Sequence, residues 1–178
     1  MIKRHLPKLL ALTVFTAGVF AAYGNLTPKS VFSAADHILI SEVQVTGSSD
    51  ADDEFVELYN PTENPVSLNG WRLTKKVSGG TETNLIASMS GNIASHGYFL
   101  VAKPGAAIGV TPDEVYSAAS NSLAVNNTVL VYDNALVLKD KVGMGTATDN
   151  ETVTIVSPTA GQSVERKANS TSTVGSMT

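Results

Sequence analysis

The chain has 178 residues, 43% of them apolar and 16% charged, and no cysteine. That length suits one domain with an appendage, and the composition rules out disulfides and thiolate metal sites. The first 35 residues hold four basic side chains and no acid, so the other eight basic residues face sixteen acidic ones, a balance of −8. So acidic a body is unsuited to nucleic acid, whose phosphates must be neutralised by Lys and Arg.

Residues 1–35 read as a separate leader. Lys3, Arg4, His5 and Lys8 form a basic cluster, and Leu9–Ala22 follows as an almost wholly apolar run. That run is short for a membrane span and suits the apolar region of a secretory signal, with the positive end held in the cytoplasm. Ser33-Ala34-Ala35 fits a small-x-small cleavage site that would release a chain starting at Asp36. Ala22-Tyr23-Gly24 is a second such site, and an uncut helix would serve as an N-terminal anchor. Export is the expectation, with membrane contact only through residues 9–22.

From Asp36 onward the apolar period is two, with short runs rich in Val, Ile, Leu, Thr and Tyr separated by Gly, Asn, Asp, Ser and Pro, as in an all-β sandwich or barrel. Ile38–Thr46 is the first strand, and a switch of apolar parity between Ile40 and Val43 predicts a β-bulge. Glu54–Asn60 is the second, with Val56 and Leu58 facing inward, and Asn60-Pro61 ends it. Val66–Leu68 leads to a tight turn at Asn69-Gly70, then to a strand over Trp71–Val77. Asn84–Ala87 and the nearly continuous apolar run Tyr98–Ala102 follow. Thr111-Pro112-Asp113-Glu114 has the cap, proline and acids of a helix start and predicts a short helix. Thr128–Tyr132, Leu136–Lys139, Thr152–Val156 and Ser163–Lys167 complete about eight strands plus short extras. The Ser/Thr-rich stretch 169–178 has no apolar face and reads as a disordered tail.

The segments ILISEVQV, FVELYNP, LNGWRL, YFLVAKP and SVERK, in that order and spacing, resemble the lamin tail domain. The resemblance covers about Ile38 to Lys167 and implies an immunoglobulin-like β-sandwich over 36–168. The family's shared motifs are structural, so the resemblance brings no active site. Its bacterial relatives are often exported and act as accessory modules beside hydrolase domains. This sequence carries neither such a partner domain nor the coiled-coil rod of nuclear lamins, so filament and nuclear roles are not carried over.

Several residues bear a structural and a functional reading. Glu57 lies among apolar neighbours and needs a partner; Arg72 and Arg166 are the expected ones, with a catalytic acid as the alternative. Asn60 is expected to cap the following turn, and Gly70 to hold a conformation closed to other residues. Trp71, the only tryptophan, alternates with Leu73 and reads as core, the other reading being a platform for sugar. Asp50, Asp52 and Asp53 in the loop SSDADDE are a weak calcium candidate without EF-hand spacing; the plain reading is a solvated hairpin. His37 and His96 lack metal-ligand spacing, there is no GxSxG elbow, and Lys75-Lys76 is too small a basic spot for a nucleic-acid track.

These readings predict an exported, non-catalytic module that needs no cofactor and binds a protein or glycan of the cell envelope. Alternatives are a structural surface subunit held by an uncut leader, and an accessory to, or itself, a secreted hydrolase. A binding module predicts an exposed aromatic or apolar patch, a structural subunit an unprotected edge strand, and a hydrolase convergent carboxylates or histidines.

Overall fold

A computed structural model describes residues 35–166. The predicted leader helix and polar tail lie outside these residues. The described residues form eleven strands and no helix: β1 (Leu39–Gln44), β2 (Phe55–Tyr59), β3 (Val66–Ser67), β4 (Arg72–Lys76), β5 (Glu82–Ile86), β6 (Asn92–Ile93), β7 (Tyr98–Ala102), β8 (Glu114–Val115), β9 (Thr128–Tyr132), β10 (Leu138–Gly143) and β11 (Ser163–Glu165). A five-stranded sheet runs β11-β1-β2-β7-β8, a four-stranded sheet runs β10-β9-β4-β5, and β3 and β6 make a small ribbon. All pairings are antiparallel except β7 with β8.

The period-two pattern places the core between the two sheets. Ile38, Ile40, Val43, Val45, Val56, Leu58, Phe99 and Val101 come from one side, and Leu73, Leu85, Val129, Val131 and Val142 from the other. Trp71 joins this cluster at 7% exposure. The indole is therefore enclosed, which removes it as a sugar platform. Gly70, one residue earlier, has φ of 79°, a value that favours glycine and lets the chain reverse before β4.

The bulge falls between Ile40 and Glu42, where the β1–β2 register shifts. It turns the backbone of Ile40 away from its ladder and toward the other sheet. The Ile40 N–H donates to Asp140 Oδ2 at 2.7 Å, and the Ile40 carbonyl accepts from Arg166 Nε at 3.1 Å. Arg166 Nη2 completes the set by reaching Asp140 Oδ2 at 2.8 Å. Asp140 shares the inward parity of Val142, and Arg166 that of Val164. The two sheets are thus tied at the β1–β10 corner by a buried ion pair, with Asp140 at 1% and Arg166 at 10% side-chain exposure.

Three chain-order expectations are corrected. Thr111–Glu114 starts no helix: Asp113 N–H donates to the Leu100 carbonyl and Asp113 Oδ2 accepts from Leu100 N–H. Those two bonds draw the segment against β7, where Glu114–Val115 adds a parallel edge strand. Thr152–Val156 is no strand; Ile155 alone bridges Met144, while Val153 and Val156 stand out in solvent. The strand predicted over Leu136–Lys139 begins later, at Leu138, because Asp133 Oδ1 accepts from the N–H groups of Ala135 and Val137 and holds a wider turn.

The outer faces of the two sheets differ. On the four-stranded sheet Asp149 is held by Lys141 at 2.6 Å and Lys76 at 2.8 Å, and its carbonyl accepts from Thr128 Oγ1. A Cβ on Gly143 would come within 2.6 Å of that Asp149 carbonyl, so glycine is what allows this close approach. Glu82 accepts from Thr74 Oγ1 and Tyr132 Oη, and Arg72 lies 5.6 Å above the Tyr132 ring. Thr74, Thr128 and Leu130 point outward yet are buried beneath this polar cover. The five-stranded sheet has no comparable roof over its middle strands among the described residues.

Candidate functional site

On β2, Val56 and Leu58 point into the core, so Phe55, Glu57 and Tyr59 point out. On β7 the outward set is Tyr98, Leu100 and Ala102. The register aligns these residues with β1 and β11 in rows across the sheet. One row reads Leu39–Tyr59–Tyr98, the next Glu165–Glu42–Glu57–Leu100, and the third Ser163–Gln44–Phe55–Ala102.

The first row presents the aromatics. The Tyr59 and Tyr98 rings lie 4.9 Å apart and are tilted by 34°, inside the range of favourable aromatic pairs. Tyr59 is half-buried and braces Tyr98, which is 61% exposed. At its rim His96 Nδ1 lies 3.4 Å from Tyr59 Oη, and His96 Nε2 lies 3.4 Å from Glu63. His96 has φ of 53°, a left-handed conformation that the tight turn into β7 imposes on a non-glycine residue.

The second row sets three glutamates directly opposite one another on adjacent strands. Strand spacing in a sheet is about 4.8 Å, and like charges facing across strands oppose pairing. Here the sequence expectation for Glu57 is corrected: neither Arg72 nor Arg166 reaches it. Arg72 is committed to Glu82 and Tyr132, and Arg166 points through the sheet to Asp140. The partner of Glu57 is the bulge residue Ser41, whose Oγ donates to Glu57 Oε1 at 2.7 Å. A hydroxyl offers one hydrogen bond and no countercharge. Burial therefore pushes the Glu57 carboxyl above its usual range, aided by the Glu42 and Glu165 charges and opposed by the Ser41 bond.

Two fully buried carboxylates escape the sequence reading. Glu54 accepts from Ser122 Oγ at 2.5 Å and Leu123 N–H at 2.7 Å, with Lys103 Nζ at 3.9 Å. Burial raises its carboxyl, and burial likewise raises that of Asp140 against the pull of Arg166. Both stitch the sandwich together, at opposite ends of the β1–β2 hairpin. The signal for Asp140 was its parity with Val142, hidden because the predicted strand stopped at Lys139.

The acidic loop does not gather its carboxylates. Asp50 Oδ1 accepts from Asp52 N–H, Asp52 pairs with Lys103 at 2.6 Å, and Asp53 Oδ1 accepts from Ala107 N–H. Each is spent on a different backbone or side-chain donor, and no group of three His, Asp or Glu suited to a metal occurs among the described residues. His37 lies with Asp36 at 3.0 Å. Asn60, fully buried, works through both ends of its amide. Its Oδ1 accepts from Thr62 N–H and Oγ1, and its Nδ2 donates to the carbonyls of Asn64 and Ala94.

The raised carboxyls carry a pH prediction. A folded-state value above the unfolded one means that the folded chain binds the proton more tightly, so acidification adds stability until the ordinary glutamate value of 4.5 is passed. Asp133 and Asp149 work the other way: their lysine partners lower them, and their contribution is lost below the ordinary aspartate value of 3.8. The melting midpoint should rise on acidification from neutral pH toward the ordinary glutamate value of 4.5 and fall below the ordinary aspartate value of 3.8. Glu57→Gln should flatten part of the rise; a midpoint that drops steadily on acidification contradicts these shifts.

Two opposed antiparallel sheets around a common core, closed by a tryptophan before β4, define an immunoglobulin-like β-sandwich. Residues 32–169 match the model of the Lamin Tail Domain family, most of the chain, and the protein belongs to that family. A comparison with curated proteins finds no match.

Proposed function

We propose that this lamin tail domain is an exported, non-catalytic recognition module whose working surface is the outer face of its five-stranded sheet. The observation that carries the reading is the Tyr59–Tyr98 pair, an exposed ring braced by a half-buried one on rigid strands. Exposed aromatics held by a scaffold are typical recognition anchors, because they offer a large contact area at small entropic cost. The opposite sheet face is covered by its own charged network, so it has less to offer a partner. Export rests on the basic cluster and apolar run of residues 1–35.

Intact-mass measurement of the secreted fraction tests the export half. A chain beginning at Asp36 is the expected result, a chain retaining Met1 in membranes supports the anchor, and a chain kept in the cytoplasm overturns export. Generic ester and phosphoester substrates test the other half. Turnover abolished by Asp52→Ala or His96→Ala would overturn the non-catalytic reading.

A further inference from the structure

We infer that the outer face of the five-stranded sheet docks an arginine-bearing basic segment of another protein. The inference rests on the recognition-module reading above and names the chemistry of its partner. The face joins a row of carboxylates, Glu165, Glu42 and Glu57, to an exposed aromatic row ending in Tyr98. The carboxylates of this row accept hydrogen bonds only from hydroxyls, Ser41 to Glu57 and Ser163 to Glu42, and no cation reaches the row among the described residues. Repulsion across the row is a standing cost that an incoming cation removes.

Charge complementarity selects the occupant. Among the described residues every Lys and Arg is already engaged: Arg72 with Glu82, Lys75 with the Ser122 carbonyl, Lys76 and Lys141 with Asp149, Lys103 with Asp52, Lys139 with Asp133 and Arg166 with Asp140. The same face of a second copy would bring three more glutamates, and its described cations are committed elsewhere. A heterologous basic partner fits instead. Arginine fits better than lysine because its planar fork spans two acceptors, and carboxylates on neighbouring strands lie about one strand spacing apart, about 4.8 Å. Arginine also stacks on aromatic rings, and Tyr98 stands one row away. The strands hold the anchor groups fixed, so little ordering cost falls on this side of the complex.

The test uses the full 178-residue chain in mild detergent and a fluorescently labelled octa-arginine peptide, read by anisotropy at low salt. Octa-arginine should bind more tightly than octalysine, and both should weaken as salt is raised. Exposed ion pairs are individually weak but act together here, so Glu42→Gln/Glu57→Gln/Glu165→Gln should weaken binding about tenfold. Gln at 57 keeps the acceptor for Ser41, and removing the repulsion should leave the melting midpoint unchanged or higher. Tyr98→Ala, an exposed change that leaves the core intact, should weaken binding about threefold. The control Asp36→Asn/Asp50→Asn/Glu151→Gln removes as much charge away from this face and should stay within about twofold. Equal losses in the two triple variants would reduce the effect to net charge and overturn the inference. Absence of peptide binding together with binding of a neutral oligosaccharide that Tyr98→Ala abolishes would overturn it too, while leaving the recognition-module reading in place.

Discussion

Arg166→Met is expected to cost about 3–5 kcal/mol of folding stability. The guanidinium joins the two sheets at this corner, beside the Ile40 N–H to Asp140 bond. Its Nη2 meets Asp140 Oδ2, its Nε meets the Ile40 carbonyl, and its backbone N–H donates to the Ser41 carbonyl at 2.7 Å. Methionine keeps the volume but leaves Asp140, 1% exposed, as a buried charge without its guanidinium partner. The pair is also imperfectly satisfied: Asp140 Oδ1 and Arg166 Nη1 lack hydrogen-bond partners, and such orphans carry a desolvation cost. The double variant Arg166→Met/Asp140→Leu should therefore recover most of the loss, since apolar replacement of a whole buried pair is often near neutral. Urea unfolding of the three chains checks this. A loss below about 1 kcal/mol for Arg166→Met would mean that the pair behaves as a surface contact and does not clamp the sheets.

Trp71→Ala should be comparably severe, at about 3–5 kcal/mol. The residue sits where the β3 turn enters β4, with its carbonyl accepting from Met89 N–H at 2.7 Å and its N–H donating to the Leu68 carbonyl. These bonds fix the backbone so that the indole must enter the sheet interface, where Leu68, Leu73, Met89 and Ile93 are all buried. Alanine leaves a cavity that strands held on both sides cannot collapse into. Trp71→Phe should lose less, because a ring still fills part of the space. Thermal unfolding of the two variants, with the tryptophan emission of the unsubstituted chain as an independent reading of burial, checks the claim. An alanine variant as stable as the parent contradicts it.

Most of the sheet was legible because burial on one face enforces a period of two. The run at Phe55–Tyr59 carries that period without interruption, and those at Tyr98–Ala102 and Thr128–Tyr132 show their strands as short apolar runs. Even the bulge showed, as a change of parity inside β1. What stayed hidden were contacts that depend on which strands become neighbours. Asp113 has the local chemistry of a helix cap, and nothing nearby in sequence reveals that Leu100 will offer it an N–H and a carbonyl. Arg166 is an expected partner of Glu57 on the same sheet, but the carboxylate it meets is Asp140, across the sandwich.

The candidate surface was less legible still. Glu42 and Glu165 look ordinary in their own strands, and Glu57, singled out for its apolar neighbours, gives no sign of the other two. The row exists because β11 pairs with β1 and β1 with β2 in one particular register. A slip of one residue would turn each outward side chain into the core. The Tyr59–Tyr98 pair has the same origin, since those residues are 39 positions apart by number and meet only through the β2–β7 ladder. Trp71 reads as core, with a sugar platform as the alternative, and folding encloses it, leaving Tyr98 as the exposed ring of this face.

Backbone amide chemical-shift mapping of the chain with octa-arginine tests most directly whether this face is the recognition surface. Shifts concentrated on Ser41–Gln44, Phe55–Tyr59, Tyr98–Leu100 and Ser163–Glu165, and absent in Glu42→Gln/Glu57→Gln/Glu165→Gln, are the predicted result. Shifts concentrated on the acidic loop Ser48–Asp53, or on the face carrying Lys76, Lys141 and Asp149, would contradict it.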